Sequence, residues 1–337
     1  CLMGKSVLTT LCYIERDQEY LMLHRVSKKH DINKDKWIGV GGHFEEGESP
    51  EECLLREVYE ETGLTLTSWR FRGIVTFCSE GTQTEYMCLY TALFEGEITA
   101  CNEGVLEWVR KDQLTDLNLW DGDRLFLELL QKEAPFFSLK LCYDRSGKWR
   151  QAILDGKELE LFDLVDENGE PTGQVKERSM VHEKGDRHRT AHVWVARRKK
   201  DGTAEVLLQK RSPKKDAYPG YYDISAAGHA HAGDELEEAG ARELQEELGI
   251  CAEPGELQFV GMRKGYRESK FWGKPFRDRE VSAVYVYEKL TLQKSEVEEV
   301  SFVELEKLIG QVREQSILSC IDLEELLMLK KALVTQD

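Results

Sequence analysis

The 337-residue sequence has no apolar run of about 18 residues, no signal peptide and no CxxC pair. The first absence excludes a membrane-spanning helix. The second predicts a chain that is not exported, with Met3 read as a natural start behind two further residues. The nine cysteines (Cys1, Cys12, Cys53, Cys78, Cys88, Cys101, Cys142, Cys251 and Cys320) are odd in number and scattered. They fit reduced thiols in a cytoplasmic protein better than a disulfide framework or a zinc site. Positive charge is also scarce: 46 Lys and Arg face 63 Asp and Glu, a net charge of −17. Such a surface repels a nucleic-acid backbone, so DNA or RNA polymers are not expected partners. Small anionic substrates remain compatible where metal ions mask local carboxylates. The rest, 41% hydrophobic and 32% charged, is ordinary globular composition, and the length predicts about two domains.

An internal repeat sets the organisation. GHFEEGESPEECLLREVYEETGL from Gly42 and GHAHAGDELEEAGARELQEELGI from Gly228 align at an offset of 186 residues (228 − 42). The same offset relates Arg25 to Arg211, Lys28 to Lys214, Lys29 to Lys215, Arg56 to Arg242 and Gly63 to Gly249. A period this long marks duplicated domains, because solenoid repeats run about 20–50 residues. Apolar, β-rich segments precede each copy (Val7–Ile14 and Leu21–Leu23; Ala191–Ala196 and Val206–Leu208). Others follow (Phe71–Phe77 and Met87–Phe94; Leu257–Gly261 and Val281–Tyr287), and helical tails close each half at Arg124–Gln131 and Ile321–Leu333. The pattern predicts α/β domains with a mixed sheet between helix layers. Polar and Gly residues within Gly147–Glu158 mark the seam, giving domains 1–154 and 155–337. Leu164–Gln174 reads as a turn-rich hairpin opening the second half.

Ser49-Pro50-Glu51-Glu52 is a helix start: Ser49 caps, Pro50 takes the first helical position and Glu52 completes a capping box. Gly63 is a left-handed terminator. Between them Glu57, Glu60 and Glu61 fall at i, i+3 and i+4 on one helix face, while Leu55, Val58 and Thr62 are expected to pack inward. Glu243, Glu246 and Glu247 repeat the acidic set. Like charges so spaced cost a helix about 0.2–0.5 kcal/mol per pair. A hard divalent cation reverses that cost, and carboxylate oxygens completed by water and phosphate suit Mg²⁺ or Mn²⁺.

These residues resemble the Nudix box, GX5EX7REUXEEXGU, in which U is a bulky apolar residue. Gly42–Leu64 matches every fixed position. Gly228–Ile250 departs once, with Asp234 for the first Glu. The resemblance implies two αβα sandwich domains that hydrolyse diphosphate bonds of small molecules, usually nucleotides. It implies that Glu57, Glu60, Glu61 and the Gly41 carbonyl bind metal, and that Arg56 and Glu48 orient them. The matching set is Glu243, Glu246, Glu247, the Ala227 carbonyl, Arg242 and Asp234, where the shorter Asp234 is expected to orient less well. Arg25, Lys28 and Lys29 are candidates to steer phosphates, as is Arg211 in the second half.

The halves differ. KWIGVGGH at Lys36–His43 and LEWVRKDQLTDLNLWDGD at Leu106–Asp123 are similar to the MutT and 8-oxo-dGTP diphosphatase group. That likeness makes Trp120 and Asp123 base-binding candidates and Glu103 a further metal ligand. Ile38 and Gly122 depart from that group, which leaves base selectivity open. FDLVDENGEPTG, VHEKGDRHRTAHVWV and PGYYDISAAGHAHAGDE resemble the branch that includes isopentenyl-diphosphate isomerase. There His188, His229 and Glu280 fall at metal or catalytic positions, with Asp278 near and His182 one residue out of register. The isomerase cysteine is replaced by Ala227, so isomerase chemistry is not expected. The sequence therefore points to a bifunctional, metal-dependent hydrolase. The alternative is one catalytic domain beside a domain that senses a nucleotide or diphosphate.

Overall fold

The computed structural model describes residues 6–26, 33–99, 101, 104–213, 218–271, 274–289 and 300–334. The chain divides into two compact units, Cys1–Leu161 and Phe162–Asp337. The first contains β1 (Val7–Arg16), β2 (Glu19–His24), β3 (Trp37–Ile38), α1 (Pro50–Thr62), β4 (Thr65–Ser79) and β5 (Glu85–Glu95). It continues through β6 (Val105–Arg110), α2 (Asp123–Gln131), β7 (Phe137–Tyr143), β8 (Trp149–Leu154) and β9 (Lys157–Leu159). Among the described residues these strands form one sheet of order β3-β2-β1-β5-β4-β7-β8-β9, with β6 also on β2. The sheet is mixed: β1–β5 and β4–β7 are parallel, while β4–β5 and β2–β6 are antiparallel.

Period-two alternation along β1 sends successive side chains to opposite helix layers. Cys12 and Ile14 join the core under α1, with Leu54 and Val58. Tyr13 points the other way and meets Phe126 of α2 at a ring distance of 6.0 Å. Each fully buried Leu or Val there contributes about 1.5–3 kcal/mol of transfer free energy. The ends of α1 follow the sequence: Ser49 and Glu52 form the reciprocal capping box, and Gly63 closes the helix at φ 76°. One expectation is corrected. Leu55 is 38% exposed, and Leu54 takes the inward position. Leu54, Val58 and Glu61 are spaced i, i+4, i+7 and form the buried stripe; Leu55 lies a further 100° around the helix.

The second unit opens with a two-stranded hairpin, β10 (Leu161–Val165) and β11 (Pro171–Glu177), as its turn-rich sequence predicts. Then come α3 (Arg178–Lys184), β12 (Arg187–Arg198), β13 (Ala204–Lys210), β14 (Tyr222–Asp223), β15 (Ala226–His229) and α4 (Leu236–Leu248). The unit ends with β16 (Gln258–Phe271), β17 (Lys274–Tyr287), β18 (Val300–Glu304), α5 (Leu305–Arg313) and α6 (Leu323–Val334). Its sheet runs β14-β13-β12-β17-β16, with β15 on β12 and β18 on β13. The β12–β17 pair is parallel. Ala191, Val193 and Val195 pack with Ala239, Leu244 and Leu248 of α4. Trp194 and Ala196 pack with Leu308 of α5 and Leu326 of α6. Each unit is thus a mixed sheet between helix layers.

Candidate active sites and metal centre

In the first unit Arg56 organises the acidic helix face. Its Nε and Nη2 donate to the two Glu48 oxygens at 2.6 and 2.8 Å, and Nη1 donates to Glu57 at 2.8 Å and Glu60 at 3.3 Å. Nη2 also donates to the His43 carbonyl at 3.0 Å, tying the helix to the glycine loop. The Arg56 guanidinium holds the Glu48 carboxyl down at about 2. The planar five-donor fork makes this possible; an ammonium could not hold four acceptors in one plane. The Gly41 amide donates to Glu61 at 3.2 Å. Both neighbouring glycines are needed for close approach. A Cβ on Gly41 would strike the Thr10 carbonyl, and one on Gly42 would fall on the Glu57 carboxylate.

Glu57 and Glu61 line a cavity of about 420 Å³ that also reaches Arg25, Phe77, Trp120 and Asp123. The cavity therefore joins the acidic end to the ring-binding candidates. Glu60 is less enclosed, its side chain 59% exposed. Trp120 is held edge-to-face against Phe77 and Tyr143, at 5.7 and 5.1 Å, and its Nε1 donates to Asn33 at 2.8 Å. Asp123 opens α2 and is buried; burial raises its carboxyl to about 7 against the opposing pull of Lys36. Asn33, Phe77 and the carbonyl of His43 carry no sequence signal for this role, because only the folded chain brings them to the cavity. Ile38 also lines it. Lys28, Lys29 and Glu103 lie outside the described residues, as do Lys214 and Lys215.

The second unit repeats the frame with altered spacing. Arg242 donates through Nη1 to Asp234, and through Nη2 to the His229 carbonyl at 3.0 Å. Glu243 is then 3.9 Å from Nη2, against 2.8 Å for the Arg56–Glu57 pair. The side chain of Asp234 is one methylene shorter, so the guanidinium is drawn toward it and away from Glu243. The Ala227 amide donates to Glu247 at 3.2 Å, matching Gly41 and Glu61, and Gln209 adds a second donor at 2.9 Å. Glu246 is exposed, on the same helix face. A Cβ on Gly228 would fall on the Glu243 carboxylate. Arg211 is paired with Asp223 at 2.6 Å.

A separate cluster lies on the same unit. One ligating atom from each of His182, His188, His229 and Asp278 lies within 4.8 Å of the others. The Nε2 atoms of all three histidines and Oδ1 of Asp278 are buried without a hydrogen-bond partner. The Asp278 oxygen is 3.5 Å from His182 and 3.3 Å from His188. Nδ1 of His182 faces the Arg178 carbonyl at 2.9 Å and Nδ1 of His188 faces the Asp186 carbonyl at 3.1 Å. An Nδ1–H donated to a carbonyl leaves the Nε2 lone pair aimed into the cluster, the arrangement of a metal-ligating imidazole. Burial keeps His229 well below the ordinary histidine value, hence neutral. For Asp278 burial acts upward, but the His182 and His188 imidazoles outweigh it and hold the carboxyl down. Four such polar atoms cost about 1–3 kcal/mol each if left unsatisfied, and a soft or borderline divalent cation satisfies all four. Glu280 is adjacent, and burial raises its carboxyl.

The fold and the two carboxylate helices define a family, and comparison with known proteins agrees. The NUDIX domain profile matches residues 5–130 and 186–318, so the chain belongs to the Nudix hydrolase family and carries two Nudix domains. It is 41% identical over 157 residues to an uncharacterised Nudix hydrolase of Clostridium acetobutylicum, covering 45% of this chain and 73% of that protein. It is 34% identical over 177 residues to an uncharacterised Nudix hydrolase of Listeria monocytogenes, covering 52% of this chain and 97% of that one. Nudix hydrolase 3 of Arabidopsis thaliana is 39% identical over 154 residues, 44% of this chain but only 20% of the plant protein. Among solved structures, the MutT protein of Bacillus halodurans is 26% identical, covering 44% of this chain and 97% of its own, at a TM-score of 0.40.

Proposed function

We propose that the chain is a bifunctional, Mg²⁺- or Mn²⁺-dependent diphosphate hydrolase whose first site converts a purine nucleoside triphosphate, including oxidised forms, to a monophosphate and diphosphate. One observation carries this reading: Glu57 and Glu61 share a single cavity with Trp120 and Asp123. Glu57, Glu60, Glu61 and the Gly41 carbonyl would hold the cation. Bound there, it would polarise phosphoryl oxygens, neutralise the leaving diphosphate and activate water. Arg56 keeps the carboxylates in place, and Glu48 keeps Arg56 in place. Trp120 offers a face for ring stacking. Asp123, with its raised carboxyl, presents both a donor and an acceptor to a purine edge near neutral pH. The test is a panel of ordinary and oxidised purine and pyrimidine triphosphates with the full chain and Trp120→Ala. Stacking is worth about 1–3 kcal/mol per base. The variant should raise KM for purines about 10-fold while kcat changes little. Equal KM values for the parent and the variant would remove Trp120 from the site.

The second site, in this reading, hydrolyses a different diphosphate with Glu243, Glu246 and Glu247, the Ala227 carbonyl, Arg242 and Asp234. The loosened Arg242–Glu243 contact supports a slower site, or a sensor that binds without turnover. Ala227 has no proton-transfer group, so interconversion of isopentenyl and dimethylallyl diphosphate is not expected. The cluster of His182, His188, His229 and Asp278 favours a second, softer cation in this unit, Mn²⁺ or Zn²⁺ rather than Mg²⁺. No cation beyond these is needed, and a cytoplasmic setting suits the free thiols.

A further inference from the structure

The two units can be superposed by strand register alone. Thr9 bridges His43 and Cys12 bridges Val40 in the first, as Thr190 pairs with His229 and Val193 with Ala226 in the second. Thr9, Leu11, Cys12 and Tyr13 thus correspond to Thr190, His192, Val193 and Trp194. On the neighbouring strands, Glu85 pairs with Val7 and Met87 with Thr9, as Glu280 pairs with His188 and Ser282 with Thr190. Next to these, Phe77 pairs with Glu85 as Gly265 pairs with Glu280. Leu11, Phe77 and Met87 are apolar liners of the first cavity. Their counterparts are His192, Gly265 and Ser282. Three apolar groups have become an imidazole, a bare backbone and a hydroxyl, while the carboxylate at Glu85 and Glu280 is kept.

The helix that closes this face differs in the same sense. In the first unit the segment leading into α2 brings Trp120, and the first residue of α2 brings Asp123, to the cavity. In the second, the start of α6 brings Asp322 and Glu325. Glu325 is 2% exposed and accepts from Trp194 Nε1 at 2.8 Å, and its Oε2 lies 3.0 Å from His192 Nδ1. Arg263 donates to Asp322 at 2.6 Å and lies 3.9 Å from Glu325. Arg263, Gly265 and Arg267 are spaced by two along β16, on one sheet face. A Cβ on Gly265 would lie 3.4 Å from Arg263 Nη1 and 3.5 Å from Glu280 Oε2, so both side chains converge on the space Phe77 fills in the first unit. Arg267 donates to the Cys320 carbonyl at 2.7 Å.

We propose that His192, fixed through Nδ1 by Glu325, is the specificity residue of the second site, and that this site takes a diphosphate whose other half is non-aromatic and rich in hydroxyl or oxyanion groups. The proposal rests on the reading that the second unit binds diphosphates at its carboxylate helix. A carboxylate on Nδ1 fixes the tautomer and turns the Nε2 edge outward, as in other carboxylate–histidine pairs. The His192 side chain keeps 11% exposure, so this edge reaches the surface of the sheet face while Nδ1 stays buried against Glu325. Glu325, Glu280 and Arg263 are the charged groups around it. The ring of Phe77 has no counterpart at Gly265, an alkenyl chain meets His192 where the first cavity has Leu11, and the Tyr218 ring lies under the Arg267 guanidinium at 5.9 Å. A polyhydroxylated or phosphorylated group finds the His192 imidazole and the half-buried Arg267 guanidinium, while Ser282 stays buried against Thr190 and Arg263 is held by Asp322.

The test uses the full chain carrying Glu60→Gln, so that first-site turnover is silenced. The probes are 5-phosphoribosyl 1-diphosphate, dimethylallyl diphosphate and dGTP with Mg²⁺, scored by release of phosphate or diphosphate and by ligand-induced shift in melting temperature. The phosphoribosyl compound should be preferred. His192→Leu should lower its kcat/KM about 10-fold or more, the worth of one hydrogen bond to a charged group, and should narrow or reverse the preference over dimethylallyl diphosphate. His192→Gln, which keeps a donor, should recover most of the loss. If nothing is hydrolysed but the phosphoribosyl compound gives the largest shift, and His192→Leu abolishes it, hydrolysis at this site fails and the specificity assignment stands. If dimethylallyl diphosphate or dGTP is preferred, or if folded His192→Leu leaves the ranking unchanged, the assignment is overturned.

Discussion

Gly42 and Glu57 share one volume: the Glu57 carboxylate occupies the place where a Cβ on residue 42 would stand. Gly228 and Glu243 repeat the relationship. The glycine is there for a carboxylate, not for a turn. Gly42→Ala should therefore push the end of a flexible side chain aside with little strain on the fold, yet misplace the carboxylate proposed to hold the cation. A misplacement near 1 Å costs about 100-fold in rate. We expect first-site kcat to fall by that order while the melting temperature stays within about 2 °C. A large loss of stability with proportionate loss of activity would show that the glycine serves the backbone instead.

The two sites are expected to be independent, since each helix carries its own three carboxylates. Glu60→Gln should lower nucleotide hydrolysis about 100-fold or more, given the several kcal/mol that metal-assisted catalysis supplies. It should leave second-site activity intact. Glu246→Gln should do the reverse. Loss of both activities from either change in a folded protein would mean a composite site. If Glu246→Gln silences nothing measurable, the second unit senses rather than hydrolyses.

Asp123 makes first-unit stability depend on pH. Its folded carboxyl titrates at about 7 against an ordinary 3.8, chiefly through burial. Between those values the folded chain holds a proton that the unfolded chain has released. Stability from this group is therefore full below about pH 4 and falls as pH rises to about 7. Asp123→Asn removes that component. The drop in urea midpoint between pH 5 and pH 8 should be smaller in the variant than in the parent, and equal drops would place the carboxyl in contact with water.

The histidine cluster predicts a metal effect on the second unit that needs no substrate. Adding Zn²⁺ to chelator-treated protein should raise the melting temperature, because a ligand bound only to the folded state stabilises it by mass action. At 100 times the dissociation constant the gain is about 2.7 kcal/mol. His188→Ala should remove most of this gain while leaving the Mg²⁺ response of the carboxylate helices. Identical metal responses in the parent and the variant would leave the four inward atoms without a cation.

Much of this protein is local in origin and so is readable along the chain. The cap at Ser49 and Glu52, the stop at Gly63 and the carboxylates at Glu57, Glu60 and Glu61 are set by spacing within one helix, where hydrogen bonds close over three or four residues. The offset of 186 residues announced two units because duplication preserves that spacing. The inward stripe of α1 was less legible. Leu54 and Leu55 are chemically equivalent, and only packing against Cys12 and Ile14 decided between them. Cavity composition was legible only in part: Arg25, Trp120 and Asp123 are candidates from the sequence and line the cavity, whereas Phe77 and Asn33 carry no such signal. Phe77, Asn33 and Trp120 meet at one wall, as Glu325 and His192 meet 133 residues apart, through strand pairing and helix docking. The resemblance points to each of His182, His188, His229 and Asp278, but their four atoms converge only because α3, β12, β15 and β17 come together. Sequence fixes which chemistry a segment carries. Long-range contacts, which no local spacing encodes, decide which segments face one another and hence what each site can hold.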